Sequence, residues 1–139
     1  MGTNASRSRI ESSTKLLALL VEDEEAILGT LSLLLSSLGC DVREARSLDE
    51  FLAVLSRIDA RSESLSLLVI DAETGGLQGS RILRALGEVR EATPVILISG
   101  LGAERLASRA AAARDVFILK KPFDPASLED VVRRALKRS

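Results

Sequence analysis

The chain has 139 residues and 46% of them are hydrophobic, which suffices for one folded domain and excludes a largely disordered protein. Its 19 basic and 20 acidic residues leave a net charge of −1, which argues against binding nucleic acid through bulk positive charge. Because the chain has no histidine, a mechanism that needs a histidine ligand, base or phosphohistidine of its own is excluded.

Residues 1–14 are polar and rich in serine, and they predict a disordered tail ahead of a domain over residues 15–139. The tail lacks the apolar segment of a secretory signal, and no apolar run of the chain is long enough to cross a membrane. Its start matches the M-G-x-x-x-[ST] myristoylation pattern, although a plain tail is the simpler interpretation. The single cysteine, Cys40, excludes an internal disulfide and predicts a buried thiol in a cytoplasmic protein.

Four short apolar segments and one short polar segment, residues 41–45, alternate with five amphipathic segments along the chain. The short segments predict buried parallel strands, and apolar spacings of three and four predict helices. The predicted strands cover residues 16–21, 41–45, 65–70, 95–98 and 116–119. The predicted helices cover residues 24–38, 48–59, 80–90, 103–113 and 125–139. This alternation predicts an α/β fold whose five-stranded parallel sheet, in the order 2-1-3-4-5, carries helices on both faces.

Capping residues mark several helix ends. Ser47 and Glu50 predict a capping box at the second helix, and Asp124 is placed to cap the last one. The second helix is predicted to turn four side chains inward: Leu48, Phe51, Leu52 and Leu55. The fourth helix is rich in alanine and has Leu106 as its only large apolar residue, so it is the candidate for a mobile element.

The first helix has a wide apolar stripe. Its predicted core positions are Ile27, Leu31, Leu34 and Leu38. Three more leucines widen the stripe: Leu28, Leu33 and Leu35. They are either exposed surface leucines, which are common, or part of a docking face for a partner.

Charged and hydroxyl side chains stand where four predicted strands end. They are Glu22, Asp23, Asp71, Ser99 and Lys121. The carboxyl ends of parallel strands meet at one rim of the sheet, where such folds bind ligands. Carboxylate and carbonyl oxygens with retained waters suit Mg²⁺, and a lysine pairs with a carboxylate or a phosphoryl oxygen. The pattern predicts a site for a divalent cation and a phosphoryl group.

These motifs resemble those of the response-regulator receiver domains of two-component signalling, over residues 15 to about 138. LLALLVEDEEAIL is similar to the first strand with its acidic pair, and LLVIDAETGGLQG to the phosphoacceptor strand and loop. VILISG is similar to the strand with the switch hydroxyl, and KKPF to the lysine–proline motif. The resemblance implies a flavodoxin-like fold and a signalling protein that catalyses only its own phosphorylation and dephosphorylation.

The resemblance also assigns roles to residues. Asp71 would be the phosphoacceptor, and Ser99 and Lys121 would bind the phosphoryl group. Mg²⁺ would be the cofactor, with Asp23, Asp71 and the backbone carbonyl of Glu73 as ligands and Glu22 assisting through water. The peptide bond between Lys121 and Pro122 would be cis. The side chains of Glu73 and Leu101 would line the path of the hydrolytic water.

The implied partners are a histidine kinase or histidine phosphotransfer protein as donor, and an unknown output protein. Since no DNA-binding segment follows Ser139 in this sequence, direct contact with nucleic acid is not expected. The last strand and helix, with their basic residues, are an alternative partner face or a homodimer face. The chain would be either a stand-alone regulator or the receiver portion of a hybrid histidine kinase.

Several positions depart from the family pattern. Gly75 replaces a common proline after the phosphoacceptor, and Arg114 stands near a common glycine before the last strand. Ile118 occupies the usual place of an aromatic switch residue, with Phe117 one position earlier. An aromatic switch is therefore not expected, and output would depend on Ser99 and the fourth helix.

These departures keep a pseudo-receiver, an interaction module without phosphoryl turnover, as the second hypothesis. The third is an unrelated enzyme on the same fold. Such an enzyme would need a glycine-rich phosphate loop after the first strand, but the sequence there is EDEEAI, which repels phosphate.

Overall fold

The computed structural model describes residues 16–73 and 79–138. The predicted tail and Gly75 lie outside these residues. The strands are β1 Leu16–Val21, β2 Cys40–Ala45, β3 Leu67–Asp71, β4 Val95–Ser99 and β5 Val116–Lys120. The helices are α1 Glu25–Ser37, α2 Leu48–Ala60, α3 Gly79–Leu86, α4 Glu104–Ala113 and α5 Pro125–Arg138. All four strand pairings are parallel and the order is β2-β1-β3-β4-β5, which confirms the predicted fold.

The sheet separates two hydrophobic cores. Helices α2, α3 and α4 pack on one face and α1 and α5 on the other. Alternate residues of β1 supply the two cores: Leu17, Leu19 and Val21 face the first, and Ala18 and Leu20 face the second. Burial on both faces explains why the central strands are apolar throughout.

Two element ends differ from the prediction by more than one residue. Strand β3 starts at Leu67 because the Ser66 hydroxyl takes part in the pairing with β1, accepting a hydrogen bond from the Leu17 N–H at 3.3 Å. Helix α3 ends at Leu86, four residues early, because Gly87 opens a series of tighter turns in which each N–H donates three residues back.

The predicted core of α1 was partly wrong. Leu28 and Leu35, assigned to the surface or a docking face, are 2% and 0% exposed, and of the three widening leucines only Leu33 is exposed. Ile27 and Leu34, assigned to the core, are half-buried on one flank of the helix. The stripe that faces the sheet is therefore rotated relative to the predicted one.

Leu52 of α2 was also wrongly placed in the core, since it is 41% exposed. It lies roughly 100° around the helix from the centre of the buried face. That face is formed by Leu48, Phe51, Val54, Leu55 and Ile58.

The N-terminal caps are confirmed in part. The Ser47 side chain accepts a hydrogen bond from the Glu50 N–H, and the Asp124 carboxylate accepts one from the Ser127 N–H. The Glu50 carboxylate bonds the Arg46 N–H, so the second half of the predicted box differs. Cys40 is buried as predicted, and burial raises the pKa of its thiol to about 11. Within the described ranges, no helix is both long and apolar enough to cross a membrane.

Candidate functional site at the carboxyl edge of the sheet

The register of the sheet brings two acidic side chains together. Val21 of β1 pairs with Ile70 of β3, so Glu22 and Asp71 are the next residues on two adjacent strands. Each residue is only 2% exposed, and their carboxyl groups share a hydrogen bond. Two carboxyl groups in such contact away from water need a proton or a cation between them.

Turns after both strands bend main-chain donors back onto these acids. The N–H of Glu24 donates to Oε2 of Glu22 at 3.1 Å, and the N–H of Glu73 donates to Oδ1 of Asp71 at 2.8 Å. These bonds fix the two carboxyl groups at the edge of the sheet. They leave the second oxygen of each group available for other partners.

A lysine reaches Asp71 from the other side of the site. The N–H of Lys121 donates to the Ser99 carbonyl at 2.8 Å, which continues the β4–β5 pairing beyond Lys120. Its Nζ lies 2.8 Å from Oδ2 of Asp71. The peptide bond to Pro122 is cis, which confirms that expectation.

Burial and pairing set the charges of these three groups. Burial, followed by the hydrogen bond with Asp71, raises the pKa of Glu22 to about 8. Burial alone would raise the pKa of Asp71, but its hydrogen bonds with Glu22 and Lys121 lower it below the usual value. Burial alone would lower the pKa of Lys121, but the hydrogen bond and the charge of Asp71 raise it above its ordinary value. At neutral pH Asp71 is therefore the anion, and Glu22 holds a proton.

The donor set fits a magnesium ion. When Glu22 is ionised, its buried Oε1 has no donor among the described residues, so it is open to a cation. Asp23 is exposed at the rim, and no three acidic, cysteine or histidine side chains of the described residues form a ready-made metal cluster. Mg²⁺ keeps several waters and takes only a few protein oxygens, so buried Glu22 and Asp71 with Asp23 at the rim suit it.

Glu73 contributes its side chain as well as its backbone. Its Oε1 lies 3.4 Å from Nζ of Lys121, so the lysine pairs with two carboxylates. Its Oε2 lies above Gly100, where an added Cβ would come within 2.5 Å of that oxygen. Gly100 therefore makes room for the Glu73 carboxylate. Sequence reasoning placed Glu73 in the site but missed its contacts, because three separate loops create them.

The switch region differs from an aromatic arrangement. Ser99 is 3% exposed at the end of β4. Ile118 packs against the core on the α4 side of the sheet, whereas Phe117 packs against the opposite core. Phe117 therefore does not replace the missing aromatic residue on the α4 side.

An apolar groove adjoins the site. It runs between α1 and the loop before α5, and Glu73 and Lys121 lie at its edge. Its apolar lining includes Ile27, Leu31, Leu34, Leu101, Pro122 and Phe123. The half-buried flank of α1 thus forms one wall. Sequence reasoning proposed a docking face on this helix with Leu28, Leu33 and Leu35, of which only Leu33 is exposed.

Comparisons with known proteins agree with this geometry. The family model described as the response regulator receiver domain matches residues 18–133. The response regulator protein TmoT of Ectopseudomonas mendocina is 31% identical over 118 residues, which are 85% of this chain and 51% of TmoT. The transcriptional regulatory protein FixJ of Rhizobium meliloti is 31% identical over 116 residues, which are 84% of this chain and 54% of FixJ. The chain thus spans about half the length of these curated relatives.

A solved structure has the same fold over nearly its full length. The response regulator receiver domain protein from Clostridium thermocellum superposes with a TM-score of 0.76 and 26% identity. The match covers 88% of this chain and 95% of that one. The family model spans most of the chain, the sheet order is as predicted, and the acidic pair faces a lysine. This chain therefore belongs to the response regulator receiver domains of two-component signal transduction.

Proposed function

We propose that this receiver domain accepts a phosphoryl group on Asp71 from the phosphohistidine of a histidine kinase or histidine phosphotransfer protein. The observation that carries the proposal is the state of Asp71. Its carboxylate is buried, kept ionised by Lys121 at 2.8 Å, and adjacent to a second acid that lacks a cation. A buried anion held by a cation at the edge of a ligand-binding sheet is a plausible nucleophile.

The transfer forms one bond and breaks one. An Asp71 carboxylate oxygen attacks the phosphorus atom, and the bond from phosphorus to the imidazole nitrogen of the donor breaks, with its electrons staying on the imidazole. Lys121 moves from the carboxylate towards the phosphoryl oxygens and balances their charge, and Ser99 offers a hydroxyl donor. Glu22, Asp23, Asp71 and the Glu73 carbonyl would hold Mg²⁺, which would supply additional positive charge.

The product changes the charge of the site. A phosphoryl group carries about −1.5 to −2 charges at neutral pH, in place of the single charge of Asp71. Lys121 and Ser99 are drawn to it, and Ser99 leads directly into the loop before α4. The resulting shift between two surface conformations is the signal that an output protein would recognise.

The apolar groove beside the site is the proposed docking place of the phosphodonor. A helix of the histidine-bearing protein would cover Ile27, Leu34 and Phe123 and bring its phosphohistidine to Asp71. Leu101 is 94% exposed next to the groove and would gain contacts on docking. Burying such an apolar surface favours association.

We also propose that the domain acts on proteins and not directly on nucleic acid. The basic residues of α5 are partly neutralised within the helix, since Arg133 pairs with Glu129 and Arg134 with Asp130. A phosphate-binding face would instead present unpaired basic side chains. The face of β5 and α5 remains the candidate surface for a homodimer.

The proposal is tested by intact mass spectrometry after incubation with acetyl phosphate. We expect one phosphate adduct in the presence of Mg²⁺ and none with excess EDTA, because the acidic site repels the donor when the cation is removed. A folded protein that binds Mg²⁺ but takes no phosphate from acetyl phosphate or from a phosphohistidine protein would contradict the proposal. That result would favour the pseudo-receiver hypothesis.

Glu73 is expected to slow phosphorylation. Its carboxylate adds negative charge where the donor arrives and competes for Lys121, 3.4 Å away. The substitution Glu73→Gln should raise the rate with acetyl phosphate by roughly two- to fivefold, the range for a partly exposed ion pair. The exposed Glu88→Gln variant provides the control. An unchanged or reduced rate in Glu73→Gln would show that Glu73 does not restrain the site.

A further inference from the structure

Arg114 connects two loops on the α4 side of the molecule. It directly follows α4, and its own N–H closes the helix on the Ala110 carbonyl at 3.1 Å. Its guanidinium crosses to the segment between α3 and β4 and donates hydrogen bonds of 2.7–3.3 Å to main-chain carbonyls there. The five acceptors are the carbonyls of Leu86, Val89, Arg90, Glu91 and Thr93.

This contact has a clear physical basis. The carbonyls at the negative end of α3 and in the turns that follow are only partly used: those of Leu86 and Arg90 each accept one main-chain hydrogen bond, and a carbonyl oxygen can accept two. A guanidinium is planar, stays charged and carries five donors, so one side chain serves several of these carbonyls. Arg114 thus fixes the C-terminal end of α4 to the α3–β4 loop.

The N-terminal end of α4 is held less firmly. Ala103 provides no side-chain cap, and the preceding Gly102 adopts a φ of 92°. Two bonds within the loop hold it: the Ala103 N–H to the Gly100 carbonyl, and the Gly102 N–H to the Glu104 carboxylate. This end follows Ser99 by only a few residues, so a movement of Ser99 reaches it first.

Small side chains attach the body of α4 to the sheet. Its fully buried residues are Ala107 and Ala110, supported by half-buried Leu106. Alanine removes little apolar surface from water, so this packing resists movement weakly. The helix is therefore fixed at its end by Arg114 and loosely packed elsewhere.

We propose that α4 responds to phosphorylation by pivoting about its C-terminal end, with Arg114 as the anchor of the pivot. This inference rests on the proposed function, since the phosphoryl group on Asp71 supplies the pull through Ser99. The surface that changes is then the β4–α4 loop and the first turns of α4. The last turn of α4 and the α3–β4 loop keep their positions in both states.

The anchor is tested first in the unphosphorylated protein by amide hydrogen exchange. We expect Arg114→Ala to speed exchange in the last turn of α4 and in residues 87–93 by about tenfold or more, because five charge-assisted bonds are lost. Arg114→Lys, which keeps the charge but offers fewer donors, should give a smaller increase. Arg109→Ala removes an exposed arginine of the same helix and should match the wild type.

Equal exchange in wild type and Arg114→Ala would overturn the anchor. If Arg114→Ala does not fold, Arg114→Lys and the wild type decide the matter. Arg114→Lys should then exchange faster than the wild type in the last turn of α4, because it offers fewer donors. Equal exchange in Arg114→Lys and the wild type would overturn the anchor.

The pivot is tested in the wild type with acetyl phosphate and Mg²⁺. In the wild type we expect phosphorylation to alter exchange in residues 100–106 and to leave exchange in residues 110–114 unchanged. In Arg114→Ala we expect the altered exchange to extend through the whole helix. Equal changes at both ends of wild-type α4 would overturn the pivot. The mass of the same sample shows whether phosphorylation occurred. A missing adduct overturns the proposed function and, with it, the pivot. The comparison of unphosphorylated wild type and Arg114→Ala still decides the anchor.

Discussion

The variant Asp71→Asn is expected to gain no phosphate from acetyl phosphate, with a rate at least roughly a thousandfold below the wild type. An amide lacks the anionic oxygen that attacks phosphorus, and no other described side chain is paired in the same way with Lys121 at 2.8 Å. Mass spectrometry measures the adduct, and peptide mapping of the wild type should place it on Asp71. A phosphate adduct in Asp71→Asn as abundant as in the wild type would show that another residue is the acceptor.

A matched control makes this test specific. Asp59→Asn makes the same chemical change at an exposed position near the end of α2, and it should phosphorylate like the wild type. Urea denaturation should show that both variants fold. In Asp71→Asn the pKa of Glu22 should fall, although burial keeps it above the ordinary value, because the hydrogen bond with the Asp71 carboxylate is lost.

The second large effect is a loss of stability with rising pH in the metal-free protein. Glu22 ionises near 4.5 when unfolded and near 8 when folded, so between these values the folded state binds the additional proton. Its stabilising contribution is complete below about pH 4.5 and is lost as the pH approaches 8. The free energy of unfolding should therefore fall by roughly 3–4 kcal/mol from pH 5 to pH 8.

The chain suits this measurement. It has no histidine to titrate between pH 5 and 8, the lowered pKa of Asp71 lies below this window, and the Cys40 thiol ionises above it. Urea denaturation in EDTA gives the profile, and Glu22→Gln should make it nearly flat. A wild-type profile as flat as that of Glu22→Gln would mean that Glu22 is ionised at neutral pH.

Magnesium adds a second readout of the same proton. If Mg²⁺ binds the ionised form of Glu22, it displaces the proton, and its apparent affinity should rise by up to about tenfold per pH unit below pH 8. Glu22→Gln should bind more weakly and lose this dependence. A wild-type affinity that does not change between pH 6 and pH 8, together with an equal affinity in Glu22→Gln, would exclude Glu22 from the metal site.

The fold and the central site were predictable because they depend on local patterns. Strands buried on both faces need continuous apolar runs, and parallel pairing brings their last residues to one edge. Asp71, Lys121 and Glu22 could therefore be placed together before any coordinates were known. The three side chains lie close together because of the register between the strands, which the apolar runs largely determine.

Other features depended on contacts that a single chain segment does not contain. The buried face of α1 includes Leu28 and Leu35 because the rotation of the helix is set by its packing between the sheet and α5. The position of the Glu73 side chain depends on both Lys121 and Gly100. Arg114 drew notice only as a replacement of a common glycine, and its five acceptors lie in another loop.

The approach of Glu73 to Gly100 has an evolutionary consequence. A methyl group at position 100 would come within 2.5 Å of the Glu73 carboxylate, the end of a flexible and half-exposed side chain, which would have to rotate away. Shortening residue 73 first leaves position 100 free to vary, whereas enlarging residue 100 first displaces the acid from the site. In descendants of this chain we expect a side chain at position 100 to occur more often where residue 73 is small.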